Sequence, residues 1–285
     1  MNRVFLFSLS AVLMTLCYLP LRANAEESIQ WSPIFKGIEY ARVETTEPLM
    51  KICLLRIDTA VEGIEFHTTG RHPDYKEVER ETDRRTTVEY LQENKLSVAV
   101  NANFYTPFNA FTRMNRGASD VLGLAVSDGI VVSKTAKGYP SFLVYKDGKK
   151  EIRIVPPEES TDKIQTAVSG SNIVLKDGVP IKEGKPSIHP RTAIGISKDG
   201  RYVYMMTIDG RQSKYSVGAT LEQVAQWLKK AGASDGLNLD GGGSTTMVKS
   251  IKDGKPKVLN HPVGLGPAGT LRHNANNIGV RAPAL

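Results

Sequence analysis

The chain has 285 residues, of which 37 are Lys or Arg and 30 are Asp or Glu, so its formal net charge is +7. Hydrophobic residues make up 40% and charged residues 24%, a balance that excludes a disordered tail, a collagen-like fibre and a protein with many membrane spans. Two cysteines in this length exclude a disulfide scaffold, and the small positive excess does not by itself indicate a polyanionic partner.

The N-terminus has the pattern of a secretory signal peptide. Arg3 opens a short basic stretch, the segment 4–19 is almost wholly apolar, and the segment 23–25 reads Ala-Asn-Ala, a small-x-small cleavage site. The apolar run is short for a membrane span, which disfavours an anchor. We predict cleavage after Ala25, export to the periplasm or the extracellular side of a bacterial envelope, and no remaining membrane span. Cleavage removes Arg3 and Arg22, so the net charge falls by two.

Residues 26–89 are predicted to form a strand and helix region that packs on a main domain at residues 90–285. After cleavage, Cys53 is the remaining cysteine and cannot form a disulfide within the chain. It lies in a strand-like pattern between Met50 and Ile57, so we predict a buried small hydrophobic residue rather than a nucleophile.

Two segments repeat the order helix, strand and polar loop. The first helix begins at Thr87 and feeds a strand that ends at Asn101. The second begins with the capping-box pattern Thr-Leu-Glu-Gln at residues 220–223, and its strand ends at Asp240. We therefore predict an α+β fold with mixed, largely antiparallel sheets, a few helices and an internal pseudo-repeat, in which the two polar loops meet at one site.

Five Asp-Gly pairs are flanked on both sides by strand-like residues, a pattern typical of β-hairpins. Asp-Gly suits the type I′ turn, in which both central residues have positive φ. The pairs are Asp128-Gly129, Asp147-Gly148, Asp177-Gly178, Asp199-Gly200 and Asp253-Gly254.

The sharpest local motif is Asn-Leu-Asp-Gly-Gly-Gly-Ser-Thr-Thr at residues 238–246. Three consecutive glycines weaken a helix or strand, so they indicate a special backbone shape. The N–H groups of residues 241–243 and the hydroxyls of Ser244 and Thr245 can wrap an oxyanion such as a phosphate. Asp240 can act as a general acid or base, orient a partner or hold a cation. The alternative is a tight turn whose aspartate caps its own backbone.

Several charged residues follow or begin strand-like segments. Asp209 and Arg211 come after an apolar run, where they can face a site or form an ordinary ion pair. Arg191, which precedes Thr192, and Arg272 are candidate phosphate contacts, because arginine binds planar anions through two hydrogen bonds. For Arg191, an arginine on the surface is the alternative. The five histidines show no metal-ligand spacing.

Motifs of several enzyme classes are absent from the sequence. It contains no Gly-x-Ser-x-Gly elbow, no Walker phosphate loop, no Rossmann fingerprint and no Cys-x-x-Cys pair. Basic residues alternate with acidic ones, so we predict no nucleic-acid partner. The glycine loop is similar to the phosphate loop of actin-like ATPases, but it has no second copy and lies near the C-terminus. Nucleotide binding is kept as an alternative.

Taken in order, the motifs resemble those of the phosphodiester glycosidase family over residues 90–285. The matching stretches are Asn101-Ala102-Asn103-Phe104-Tyr105, the segment 122–129, Ser169-Gly170, the segment 191–195, Asp209-Gly210, the segment 238–244 and Arg272.

The resemblance implies hydrolysis of a small or polymeric glycan phosphodiester at the bond between a sugar and its 1-phosphate. Asp240 and Asp209 would then be the catalytic pair, since glycosidic cleavage usually employs two carboxylates. Phosphate would be held by arginines and the glycine loop, and sugar hydroxyls by asparagines. No cofactor is predicted, although a divalent cation at Asp240 is left open. The predicted substrate-binding residues are Asn101, Asn103, Arg191, Thr192, Gly210, Gly241, Gly242, Gly243, Ser244, Thr245 and Arg272.

Two further functions are compatible with the same motifs. One is a non-catalytic protein of the envelope that binds phosphorylated glycans in the same pocket. The other is a structural envelope protein in which the glycine loop only turns the chain. The most informative observation is whether Asp209, Asp240, Arg191 and Asn101 converge on one pocket, because the functional interpretation fails if they lie on separate faces.

Overall fold

A computed structural model describes residues 28–182, 184–251 and 254–285. The predicted signal peptide at residues 1–25 lies outside the described residues. The N-terminal strands are β1 (Ser32–Phe35), β2 (Ile38–Thr46), β3 (Leu49–Asp58), β4 (Glu65–Thr68), β5 (Thr82–Asp83), β6 (Val98–Asn101), β7 (Tyr105–Thr106), β8 (Ala118–Val121), β9 (Ala125–Ser127), β10 (Ile130–Ser133) and β11 (Ser141–Tyr145).

The strands of the second half complete the sheets. They are β12 (Lys150–Arg153), β13 (Ile164–Ser169), β14 (Asn172–Lys176), β15 (Val179–Pro180), β16 (Arg191–Ile196), β17 (Tyr202–Ile208), β18 (Asp235–Asn238), β19 (Met247–Ser250), β20 (Pro256–Val258) and β21 (Asn277–Arg281). The helices are α1 (Tyr75–Val78), α2 (Thr87–Glu93), α3 (Ala110–Met114) and α4 (Leu221–Ala231), and a 3₁₀ turn covers Gly242–Ser244.

An eight-stranded sheet joins the N-terminal strands to strands from the second half of the chain. Its strand order is β1-β2-β3-β17-β16-β18-β14-β15. The pairing of β3 with β17, from Asp58 opposite Tyr202 to Ile52 opposite Ile208, joins the N-terminal region to the rest of the fold. This sheet also places the start of β16 beside the ends of β17 and β18. Arg191 begins β16, whereas Asp209 and Asp240 follow β17 and β18.

Three smaller sheets complete the architecture. Two have five strands, in the orders β10-β9-β13-β11-β12 and β20-β19-β6-β21-β4, and one has three, β5-β8-β7. The pairs that define these sheets and the eight-stranded sheet are antiparallel throughout the described residues. The predicted α+β fold with largely antiparallel sheets and a few helices is confirmed.

The core has two layers because the central strands bury both of their faces. Along β3, Cys53, Leu55 and Ile57 point into a cluster with the two five-stranded sheets. The alternate residues Ile52 and Leu54 point into a second cluster that α4 covers. Burial raises the pKa of the Cys53 thiol to about 11, so this cysteine is a buried, unreactive residue, as its strand pattern predicts.

Helices α2 and α4 begin where the sequence predicts. Thr86 and Thr220 each form a capping box with the residue three positions later, and Gly232 ends α4 in the left-handed conformation. The two helix–strand units lie on different sheets, because β6 belongs to a five-stranded sheet and β18 to the eight-stranded one. Among the described residues, no helix has the length and apolar character needed to cross a membrane.

The Asp-Gly pairs that the structure describes in full all connect antiparallel strands, but they do not share one turn type. In the β9–β10 and β14–β15 turns, both residues have positive φ. In the β11–β12 and β16–β17 turns, only the glycine does, because these longer loops need a single left-handed residue. The type I′ prediction is therefore right at Asp128-Gly129 and Asp177-Gly178 and wrong at Asp147-Gly148 and Asp199-Gly200. Asp253 lies outside the described residues.

Candidate active site

A pocket of about 300 Å³ opens where the polar loops after β6, β17 and β18 meet the loop that precedes β16. Its floor carries the aspartate of the glycine motif, and its walls carry several cationic and aromatic side chains. The lining residues are Phe104, Phe108, Arg113, Ser171, His189, Pro190, Arg191, Arg211, Asn238, Asp240, Gly241, Gly242, Gly243 and Arg272.

The two polar loops meet directly, as the repeat of helix, strand and loop predicts. The side-chain amide of Asn101 donates to the backbone oxygen of Asp240 at 2.6 Å. The N–H of Asp240 in turn donates to the backbone oxygen of Ala102 at 2.8 Å. These bonds fix Asp240 against the end of β6, so its position is set by two sheets at once.

Asp240 is the one carboxylate that lines this pocket among the residues the structure describes. Its side chain is largely buried, and this burial raises its pKa to about 6. Four neighbours oppose the rise: the Ser244 hydroxyl, the N–H of Gly241 and the guanidinium groups of Arg272 and Arg211. Asp240 is therefore ionised at neutral pH but close enough to its pKa to exchange a proton.

Arg272 lies beneath the glycine loop and beside Asp240. Its Nη2 donates to the backbone oxygen of Gly264 at 3.1 Å, and its Nη1 lies 3.5 Å from the Ser244 hydroxyl. Burial lowers the pKa of Arg272, and the charge of Asp240 opposes this shift. Its buried Nε has no hydrogen-bond partner among the described residues. Arg272 also lines the pocket, so its guanidinium is placed to interact with an anionic ligand there.

Arg211 supplies a second guanidinium to the pocket. Its backbone has a φ of 59°, a conformation that turns the chain sharply after β17. Its Nη2 lies 3.2 Å from Nδ1 of His189, and its charge lowers the pKa of Asp240. Arg211 and Arg272 thus place positive charge near the same carboxylate.

Glycine is required in this loop mainly because a side chain would not fit there, and less because its backbone N–H groups are free to bind an anion. A Cβ atom at Gly241 would lie 2.5 Å from the backbone oxygen of Pro190, and one at Gly243 would lie 2.3 Å from Nη2 of Arg272. The N–H of Gly242 donates to Pro190, and those of Ser244 and Thr245 donate to backbone oxygens within the loop. Of the three glycine N–H groups predicted to wrap an oxyanion, that of Gly242 is therefore already engaged by the protein.

Asp209 does not line the pocket, which corrects its pairing with Asp240. Its carboxylate accepts hydrogen bonds from the side chain of Asn260 at 2.8 Å and from the N–H of His261 at 2.9 Å. Burial raises the pKa of Asp209, and these two hydrogen bonds oppose the rise. Asn260 also donates to the backbone oxygen of Thr245 at 3.0 Å. Asp209 therefore supports the far end of the glycine loop from beneath.

Asn101 and Asn103 are fully buried, so a sugar hydroxyl cannot reach them as predicted. The side-chain oxygen of Asn101 accepts from the Thr192 hydroxyl at 2.7 Å and from the N–H of Thr246 at 3.1 Å. The side chain of Asn103 bonds to Leu122, Leu124, Ser169 and Asn276. The burial of Thr192 and Thr245 places both side chains inside the protein as well. These residues fix the loops rather than forming the pocket wall.

Arg191 and Gly210 help to determine the shape of the site. Arg191 lines the pocket but is mostly buried, and it donates to the backbone oxygens of Ala219 at 2.9 Å and Ser187 at 2.6 Å. It is not an ordinary surface arginine. A Cβ atom at Gly210 would lie 2.7 Å from Gly218, so this glycine permits two loops to pass in close contact.

The sequence profile of the phosphodiester glycosidase family matches residues 94–281, which include every residue of the pocket. The chain belongs to the phosphodiester glycosidase family. No curated protein sequence is significantly similar to it.

Solved structures of distant relatives share the fold of this phosphodiester glycosidase domain. The catalytic domain of zebrafish N-acetylglucosamine-1-phosphodiester α-N-acetylglucosaminidase, auto-inhibited by its pro-peptide, is 19% identical with a TM-score of 0.67, over 88% of this chain and 84% of that one. A hypothetical protein from Synechocystis is 14% identical, with a TM-score of 0.59 over 86% and 62% of the two chains. A Burkholderia pseudomallei protein predicted to be exported is 15% identical, with a TM-score of 0.51 over 82% and 74%.

Several pocket residues of this family member were not among the predicted site residues. Arg211 directly follows the predicted Gly210, and Phe104 directly follows Asn103, so a signal for both was present in the sequence. Phe108 and Arg113 had no such signal, because the short helix α3 brings them to the pocket through tertiary structure.

The described part of the chain offers no cluster of side chains that could bind a metal cation. No three His, Cys, Asp or Glu side chains there lie close enough together to hold a metal ion. A divalent cation at Asp240 would need ligands other than these side chains.

Proposed function

We propose that the protein is an exported hydrolase that cleaves the glycosidic bond of a sugar-1-phosphate phosphodiester and releases the free sugar. The observation that carries this proposal is a largely buried carboxylate, Asp240, in one pocket with the guanidinium groups of Arg211 and Arg272. Membership of the phosphodiester glycosidase family and the activity named for the zebrafish relative support the same reaction.

A single carboxylate is sufficient for this reaction because of the leaving group. When the bond between C1 and oxygen breaks, the leaving group is a phosphate monoester, whose second pKa is about 6. It departs at neutral pH without being protonated, in contrast to the alcohol that leaves an ordinary glycoside. The displacement of Asp209 from the pocket is therefore compatible with glycosidic cleavage.

Asp240 would act on the sugar side of the bond. Its carboxylate is ionised at neutral pH, so it can attack C1 or accept a proton from the attacking water. In either role, its negative charge stabilises the positive charge that develops on the sugar ring in the transition state. The hydrogen bond from Asn101 and the network of Asp209 hold this carboxylate in place.

Arg272 and Arg211 would act on the phosphate side. The phosphodiester carries one negative charge, and the departing monoester gains a second one as the bond breaks. Positive groups that are already in place stabilise this developing charge more than they stabilise the substrate. Arg272 and Arg211 both line the pocket, so their guanidinium groups can donate hydrogen bonds to phosphate oxygens there.

The substrate would be a glycan of the bacterial envelope or of a host, linked through a sugar-1-phosphate. The signal-peptide pattern at residues 1–25 supports export, and a relative of similar fold is itself predicted to be exported. A periplasmic or extracellular enzyme would meet such polymers directly.

Release of free sugar from a synthetic sugar-1-phosphate methyl diester tests this proposal. We expect turnover by the wild type and a loss of at least about a hundredfold in kcat/KM for Asp240→Asn. The matched control is Asp177→Asn, the same change in an exposed left-handed turn that tolerates asparagine. Binding of the diester without turnover would instead indicate a phosphoglycan-binding protein. Full activity of a folded Asp240→Asn variant would refute the role of Asp240.

A further inference from the structure

Three large apolar side chains lie exposed within seven residues beside the pocket. Phe108 is 54% exposed, Phe111 69% and Met114 58%. We call these three residues the apolar rim. Single exposed hydrophobic residues are common on protein surfaces, but a contiguous group usually marks a binding surface.

The local structure presents the apolar rim outward rather than into the core. Asn109 caps helix α3 through a reciprocal pair of 3.0 Å hydrogen bonds with Thr112, whose side chain is the buried one of this helix. Phe111 and Met114 are three residues apart, so they lie on the same side of the helix. Phe108 precedes the cap and packs edge-to-face on Tyr105, with ring centroids 5.5 Å apart.

The apolar rim reaches the phosphate side of the pocket through Phe108. Phe108 and Arg113 both line the pocket. Two guanidinium groups lie close to the ring of Phe108, that of Arg272 5.3 Å and that of Arg113 5.4 Å from its centroid. A ligand whose anionic group reaches Arg272 therefore has apolar surface next to that group.

We propose that the apolar rim binds the hydrocarbon chain of the alcohol that is esterified to the substrate phosphate. This inference rests on the proposed function and names its substrate class: a sugar joined through one phosphodiester to a long-chain lipid alcohol. The sugar occupies the floor of the pocket at Asp240, the phosphate lies at Arg272, and the chain passes over Phe108 toward Phe111 and Met114.

Exposed apolar side chains next to guanidinium groups favour a hydrocarbon chain over a second sugar at the apolar rim. A sugar ring can stack a C–H face on one aromatic ring, but its hydroxyl groups limit how much apolar surface it covers across Phe108, Phe111 and Met114. A hydrocarbon chain removes this apolar surface from water and leaves the charge on Arg113 and Arg272 to the phosphate. The rim and the guanidinium groups together fit an anionic amphiphile.

The test compares methyl and decyl esters of the same sugar-1-phosphate, both below the micelle-forming concentration. We expect kcat/KM of the wild type to be at least about tenfold higher for the decyl ester, the gain from covering roughly two methylene groups. The double variant Phe111→Ser, Met114→Ser should lose this preference and keep the methyl-ester value. The control variant Ile130→Ser, at an exposed position of β10, should keep the preference. Equal values for both esters in the wild type would overturn the proposal.

Binding of the two phosphate monoesters separates this inference from the proposed function. Decyl phosphate should bind at least about tenfold more tightly than methyl phosphate by calorimetry, and the double variant should abolish the difference, even if no sugar is ever released. Two results would overturn the inference while leaving glycosidic cleavage intact. One is equal binding of the two monoesters. The other is a double variant that keeps the chain-length preference but no longer binds anionic phospholipid vesicles, which would make the rim a membrane contact.

Discussion

Replacing Asp240 with asparagine is expected to stabilise the protein at neutral pH while it abolishes activity. Burial raises the pKa of this carboxyl from its ordinary 3.8 to about 6, so the folded protein holds a negative charge that the unfolded chain accommodates more easily. A shift of about two pH units corresponds to about 3 kcal/mol at pH 7. Asparagine has a similar shape without the charge, so most of this cost should disappear.

The pH dependence of this stability difference tests whether the charge of Asp240 causes it. Because the pKa is higher in the folded state, the folded protein binds more protons than the unfolded chain between about pH 4 and pH 6. The contribution of Asp240 to stability is therefore most favourable below pH 4 and is lost as pH rises through 6. The advantage of the Asp240→Asn variant should accordingly shrink on acidification and vanish near pH 4.

Urea unfolding at pH 7 and at pH 4 measures the stability difference between the variant and the wild type and its dependence on pH. We expect Asp240→Asn to be more stable than the wild type by about 1 to 3 kcal/mol at pH 7 and equal to it at pH 4. Asp177→Asn, at an exposed turn, should match the wild type at both values of pH. An Asp240→Asn variant that is less stable at pH 7, or one whose advantage does not depend on pH, would refute the electrostatic account of the pocket.

The remaining predictions concern activity and the supporting loops. The kcat/KM of the wild type should fall tenfold per pH unit below about pH 6, as Asp240 becomes protonated; a flat profile to pH 5 would contradict its role. Gly243→Ala should lower the free energy of unfolding by more than about 2 kcal/mol, since its Cβ meets Gly264 and Arg272, whereas Gly266→Ala, in open space, should be neutral by thermal denaturation. Asp209→Ala should cost about 1 to 3 kcal/mol of stability by urea unfolding and lower kcat without moving the pH profile; a shifted profile would return Asp209 to the chemistry.

Much of the fold could be predicted from local chemistry. The capping box at Thr220 and the glycine at position 232 define α4 because both act within a few residues. The alternation in β3 likewise predicts a strand in which Cys53 is buried. The meeting of the Asn101 and Asp240 loops was predictable because each ends a strand that a helix feeds.

The candidate site was predicted less completely, because the direction of a side chain depends on tertiary structure. Asp209 and Arg211 are two residues apart at the end of β17, yet only Arg211 lines the pocket. A buried asparagine that braces a loop, such as Asn101, has the same residue type and the same place in the sequence as one that binds a sugar. Phe108, which precedes the cap of helix α3, and Arg113, which lies in that helix, reach the pocket through tertiary contacts that no local motif predicts.

Hydrolysis in ¹⁸O-labelled water tests the central claim most directly, because it identifies the bond that breaks. A sugar-1-phosphate diester is incubated with the wild-type protein in labelled water, and the products are analysed by mass spectrometry. Cleavage between C1 of the sugar and oxygen, with Asp240 acting at C1, predicts that the label enters the free sugar and is absent from the phosphate monoester. Label in the phosphate product would show attack at phosphorus and contradict the account.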